Sequence, residues 1–93
     1  MGYPLSGFII MGMAGSIRTT QYQFFCSLLA KARESAGLTQ AELSTRLGKP
    51  QSFVSKYETG ERRLDVIEFV QVCTELGVDP VHILTELKNG PIK

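Results

Sequence analysis

Gly37, Gly48, Gly60, Gly77 and Gly90 divide most of this chain into short segments, and each glycine closes a run with helical spacing. A left-handed residue just past a helix end is cheapest as glycine, so the five positions predict five helix stops. Start signals sit beside them. Thr39-Gln40-Ala41-Glu42 is a capping box, in which the Thr hydroxyl and the Glu carboxylate satisfy each other's backbone amides. Asp65-Val66-Ile67-Glu68 has a similar shape with Asp as cap, and Asp79-Pro80 sets a cap before a proline at the first helical position. Together they predict helices over residues 20–36, 39–47, 50–58, 65–76 and 80–87.

Apolar residues recur at helical spacing within these runs. Phe25, Leu28, Leu29, Ala32 and Ala36 form a stripe in the first. Ile67, Val70, Cys73, Thr74 and Gly77 do so in the fourth, widened by Phe69 and Leu76, and the fifth offers Val81, Leu84 and Leu87. The expected fold is all-α, a compact five-helix domain over residues 21–88, with a short tail at 89–93. A chain of 93 residues has room for one modest core.

Residues 1–20 stand apart. The first seventeen, MGYPLSGFIIMGMAGSI, carry no charge. No Lys or Arg precedes the apolar run, unlike a signal peptide, and it is too short and too broken by glycine to span a bilayer. Two readings stay open: a start displaced to Met11 or Met13, or a short strand over residues 7–11 that pairs with a second copy.

Residues 18–64 hold eight Lys and Arg against four Glu, whereas residues 65–93 hold two Lys against five acids. A basic part joined to an acidic part suggests a face offered to an anion. Cys26 and Cys73 form no CxxC pair, and His82 is the single histidine. No metal-ligand spacing results, no cofactor is called for, and both thiols read as small buried hydrophobes in a reducing cytoplasm.

The third predicted helix is too short and too polar to be a good core element. Helical spacing puts Phe53, Val54 and Tyr57 on one side and Gln51, Ser52, Ser55 and Lys56 on the other. That outer face is slim and has no acid, as entry into a major groove about 12 Å wide requires. Gln can pair with adenine, Lys can reach guanine, and Ser can serve either. The face therefore reads as a DNA-contacting one.

The stretch LTQAELSTRLGKPQSFVSKYETGERR, residues 38–63, resembles the helix-turn-helix of the phage repressor and Cro type, often called the XRE family. The resemblance covers residues 22–88, and its most specific part is Leu38-Thr39-Gln40-Ala41-Glu42-Leu43 with Gln51-Ser52, Val54-Ser55, Glu58 and Gly60 at this spacing. It implies base contacts from Gln51, Ser52, Ser55 and Lys56. It implies phosphate contacts from Gln40, at the positive end of the second helix, and from Lys49, Arg62 and Arg63. It also implies a structural ion pair between Arg33 and Glu58, with Arg33 in reach of a phosphate. Phe53 and Tyr57 read as core. Many relatives carry proline where this chain has Leu64, in the loop after the third helix.

The function expected is a sequence-specific regulator of transcription, a repressor that binds a palindromic operator as a homodimer, cytoplasmic and associated with the nucleoid. Helix five, through Val81, Ile83 and Leu87, and the apolar N-terminal segment are the candidate dimer surfaces. The alternative is an antitoxin or a restriction–modification controller, which shares the fold and adds a protein partner. An enzyme is not expected: no nucleophile–base set exists, and Ser55 and Lys56 point apart on their helix. RNA binding is disfavoured because the outer face has no aromatic side chain on which unpaired bases could stack.

Overall fold

The computed structural model describes residues 14–90, and over them the chain is five helices: α1 (Ala14–Ser35), α2 (Gln40–Arg46), α3 (Phe53–Glu58), α4 (Val66–Leu76) and α5 (Pro80–Asn89). No strand occurs among the described residues. The strand expected at residues 7–11 lies outside them.

Each helix starts and stops for a local reason. Glu42 N–H donates to Thr39 Oγ1 at 3.0 Å and Thr39 N–H to Glu42 Oε1 at 2.8 Å, which closes the box at the start of α2. Asp65 and Glu68 make the same reciprocal pair at the start of α4. Asp79 Oδ1 accepts from Val81 N–H at 2.9 Å ahead of α5. Gly37, Gly48, Gly60 and Gly77 all have positive φ, between 69° and 84°. Gly90 does not; its φ of −150° is extended backbone, so α5 ends without a left-handed stop.

Three further expectations are corrected. α1 begins at Ala14, inside the stretch set apart as an extension, because no proline interrupts residues 14–35 and a nucleated helix elongates at little cost. α3 begins at Phe53, three residues later than expected. Pro50, Gln51 and Ser52 form a turn instead, closed by Phe53 N–H to the Pro50 carbonyl at 2.9 Å.

The third correction concerns which faces turn inward. α4 buries Phe69, Val72, Cys73 and Leu76, whereas Ile67, Val70 and Thr74 are exposed. α5 buries Ile83 and leaves Val81 and Leu84 exposed. Ile83 is a core residue and is not available as a dimer contact. Ala36, in the turn after α1, is exposed as well.

The core is one cluster. Leu29 from α1, Leu43 from α2, Val54 and Tyr57 from α3, and Val72 and Cys73 from α4 are essentially inaccessible, and Ile83 joins them from α5. Phe25, Leu28, Leu38, Leu47 and Leu64 pack around this cluster. Burying one such aliphatic side chain is worth roughly 1.5–3 kcal/mol. Helices of seven and six residues do not persist alone in water, so α2 and α3 exist because Leu43, Val54 and Tyr57 are sealed here.

Candidate nucleic-acid interface

The turn between α2 and α3 is organised by a residue the sequence pattern did not mark. Ser44 is fully buried on α2. Its Oγ accepts from Val54 N–H at 3.2 Å and donates to the Gln51 carbonyl at 3.2 Å. One hydroxyl thus satisfies an unpaired amide of the first turn of α3 and holds the turn that precedes it. Gly48 (φ 69°) reverses the chain, and Lys49 N–H closes the loop on the Ser44 carbonyl at 3.0 Å. A hydroxyl buried inside a helix must find partners, and both partners of Ser44 are backbone atoms that residue spacing does not reveal.

With the turn fixed, α3 is divided lengthwise. Phe53, Val54 and Tyr57 face the core. Gln51, Ser52 and Lys56 are exposed, and Ser55 is half-buried. Ser52 occupies the N-cap position but makes no side-chain cap bond, so its hydroxyl is uncommitted. Ser55 Oγ donates to the Ser52 carbonyl at 3.1 Å, which leaves its oxygen as an acceptor. The four residues expected at the bases therefore lie together on one outward surface.

Cations frame that surface. An open groove of about 320 Å³ is lined by Lys49, Pro50, Ser52, Phe53, Lys56 and Arg62. Lys49 Nζ stands 5.4 Å from the Phe53 ring centre and the Arg62 guanidinium 4.9 Å from it. Arg62 is also paired with Glu68, Nη2 to Oε2 at 2.9 Å and Nη1 to Oε1 at 3.0 Å. The paired guanidinium holds the Glu68 carboxyl down at about 2.

Arg63 lies 4.3 Å from the centre of the Tyr22 ring. The Tyr22 hydroxyl accepts from Leu64 N–H at 3.2 Å. The proline that the family resemblance would place here has no such donor. Leu64 thereby gives this loop a tie to α1.

Behind the surface lies a second polar cluster. Arg33 Nε donates to Glu58 Oε2 at 2.8 Å, Nη2 to Oε1 at 3.1 Å and Nη1 to the Leu38 carbonyl at 2.7 Å. Both side chains of the pair are about nine-tenths buried. The bond to Glu58 raises the Arg33 pKa further, so the guanidinium stays charged. Gln40 Nε2 donates to Glu58 Oε1 at 2.8 Å, which fixes the amide at the start of α2 and leaves its second N–H for another acceptor. α1, α2 and α3 therefore meet at one carboxylate.

Cys26 and Cys73 are free and buried. Cys26 Sγ donates to the Tyr57 carbonyl at 3.1 Å, and burial pushes both thiols up, Cys73 to about 11. They are protonated packing groups. Among the described residues no group of three or more His, Cys, Asp and Glu is placed to hold a metal ion, and no helix is long and apolar enough to cross a membrane.

The fold and this surface define a helix-turn-helix module, and comparison with known proteins agrees. The helix-turn-helix family model matches residues 29–83. An uncharacterized HTH-type transcriptional regulator, y4dJ, of Sinorhizobium fredii (strain NBRC 101917 / NGR234) is 35% identical over 65 residues, covering 70% of this chain and 84% of that protein. The solved structure of an XRE-family like protein from Pseudomonas syringae pv. tomato str. DC3000 is 51% identical, with a TM-score of 0.76 over 83% of this chain and 94% of that one. The chain belongs to the helix-turn-helix family, of the XRE type. It is a DNA-binding regulator of transcription and not an enzyme.

Proposed function

We propose that this regulator is a sequence-specific repressor that binds a palindromic operator as a homodimer, with α3 in the major groove. The observation that carries the reading is the acid-free outer surface of the turn and α3, framed by Lys49, Lys56 and Arg62. Gln51 and Ser52, at the N-terminal end of the recognition element, meet base edges together with Ser55 and Lys56. Gln40, Lys49, Arg62 and Arg63 hold phosphates and set the register. One module spans few base pairs. Two copies, with half-sites about 34–36 Å apart, double the contacts. Val81 and Leu84, exposed on α5, are the apolar surface offered to the second copy. Such a protein works in the cytoplasm, at the nucleoid.

The test is a fluorescence-anisotropy titration at near-physiological salt, comparing the DNA upstream of the protein's own gene with a shuffled duplex. Sequence-specific binding is expected to favour one operator duplex by roughly 10³-fold or more. If the upstream DNA is not that operator, selection from random duplexes finds it, and failure to enrich any sequence removes specificity from the reading. On the operator, Gln51→Ala is expected to cost about 1–3 kcal/mol and little on shuffled DNA. Equal losses on both would show that Gln51 does not read bases. Lys49→Ala is expected to weaken binding to both duplexes and make the salt slope shallower by about one. Sedimentation of a single copy bound per operator would sink the homodimer.

A further inference from the structure

Arg62 is the most constrained cation on this surface. Nη1 donates to Glu68 Oε1 and to the Arg63 carbonyl, each at 3.0 Å, and Nη2 donates to Glu68 Oε2 at 2.9 Å. The guanidinium also lies over the Phe53 ring, which is itself buried and cannot move aside. Glu68 is fixed in turn. Its Oε1 accepts from Asp65 N–H at 3.0 Å while its own amide donates to Asp65 Oδ1 at 2.8 Å, as the third residue of the α4 capping box.

The arrangement differs from an ordinary surface ion pair, in which two long side chains wave in solvent. Here the acid is anchored to a helix start and the ring to the core, so the guanidinium has one place to be. Three of its five N–H donors are committed, and Nε–H and one Nη2–H are left for a further acceptor. Arg62 keeps substantial exposure, 42% of its side chain, and lines the groove beside Ser52 and Lys56.

We propose that Glu68 is a positioning residue for DNA binding: its carboxylate, with the Phe53 ring, holds the Arg62 guanidinium as a rigid fork at the start of α3, where the two remaining donors clamp a backbone phosphate. This rests on the DNA-binding reading above and adds to it an acidic residue that promotes binding to a polyanion. An arginine ordered before it meets DNA does not have to be ordered on binding. Glu68 pairing that merely cancelled the charge of Arg62 would have the opposite sign. Removing the acid would then strengthen binding.

Glu68→Gln separates the roles, because glutamine at this position of a capping box still accepts from the Asp65 amide while losing the charged fork-to-fork pair. The probe is a fluorescein-labelled mixed-sequence duplex at low salt, titrated with the full chain. Glu68→Gln is expected to weaken binding roughly three- to tenfold, the worth of ordering one long side chain. Glu61→Gln makes the same charge change one residue from Arg62, at an exposed side chain, and is expected to bind no more weakly than the wild type. In an Arg62→Ala background, Glu68→Gln is expected to cost nothing further, because its effect passes through Arg62. Arg62→Lys, which keeps the charge without the fork, is expected to lose about as much as Glu68→Gln.

Unchanged or tighter binding by Glu68→Gln overturns the proposal. So does an equal loss in Glu61→Gln, a persisting loss in the Arg62→Ala background, or wild-type binding by Arg62→Lys. These failures leave DNA binding itself standing. A wild-type chain that binds no duplex removes the DNA-binding reading and this inference together.

Discussion

Replacing Ser44 with alanine would remove one hydroxyl and strand two partners, the Val54 amide and the Gln51 carbonyl, at a site without access to water. The cost of leaving a buried donor unpaired is about 1–3 kcal/mol. Urea unfolding of Ser44→Ala is expected to show a loss of that size, and a change under about 0.5 kcal/mol would mean the turn has another support. Only part of this was legible from residue types. Helical spacing put Phe53, Val54 and Tyr57 on one side of α3 because that side is apolar and the other is not. Ser44 escaped notice because its partners are backbone atoms seven and ten residues away, and spacing says nothing about backbone atoms. Tyr22 escaped for the same reason, its acceptor role belonging to Leu64 N–H, 42 residues along the chain.

Glycines and capping boxes determine where the helices end, because both act through backbone geometry within a few residues. Which side of a helix turns inward is another matter. α4 reads Val-Ile-Glu-Phe-Val-Gln-Val-Cys, apolar nearly all round, so its periodicity admits Ile67 and Val70 as readily as Phe69 and Val72. The choice is made by shape: the Phe69 ring packs 5.4 Å from that of Phe25, and Tyr22 extends the row at 5.5 Å. α5 presents the same ambiguity, which Ile83 resolves. Helices α1, α2 and α3 are joined through Glu58, which takes Arg33 from one and Gln40 from another. Glu58→Ala leaves the buried Arg33 guanidinium with the Leu38 carbonyl and, as its remaining countercharge, only the exposed Glu34 carboxylate at 3.9 Å. Loss of one partner from such a pair costs roughly 3–5 kcal/mol. Thermal or chemical unfolding of Glu58→Ala is expected to show it, and a loss below about 1 kcal/mol would reduce the pair to surface decoration.

Over the whole molecule, acid is the condition to which this surface should respond. The Glu68 carboxyl sits at about 2 in the folded protein, against 4.5 for the free group, chiefly because Arg62 hydrogen-bonds its charged form. A depressed folded value means a contribution fully present above about 4.5. It fades as pH falls toward 2, where the folded carboxylate takes up its proton. Melting temperatures of the wild type and Glu68→Gln are expected to differ at neutral pH and to converge across that window. Parallel curves down to pH 2 would show that Glu68 does not carry the difference.

α3 has six residues, and three of them are sealed in the core. The division has a consequence for descent as well as for stability. Positions that meet solvent can be exchanged without disturbing those that hold the fold, so, on the proposed mode of binding, a duplicated copy of this gene acquires a new target through a few codons while inheriting its architecture unchanged. The same halving sets a limit on the proposed mode of binding: if α3 reads the bases, the alphabet available for addressing DNA is as short as the strip of helix left uncovered.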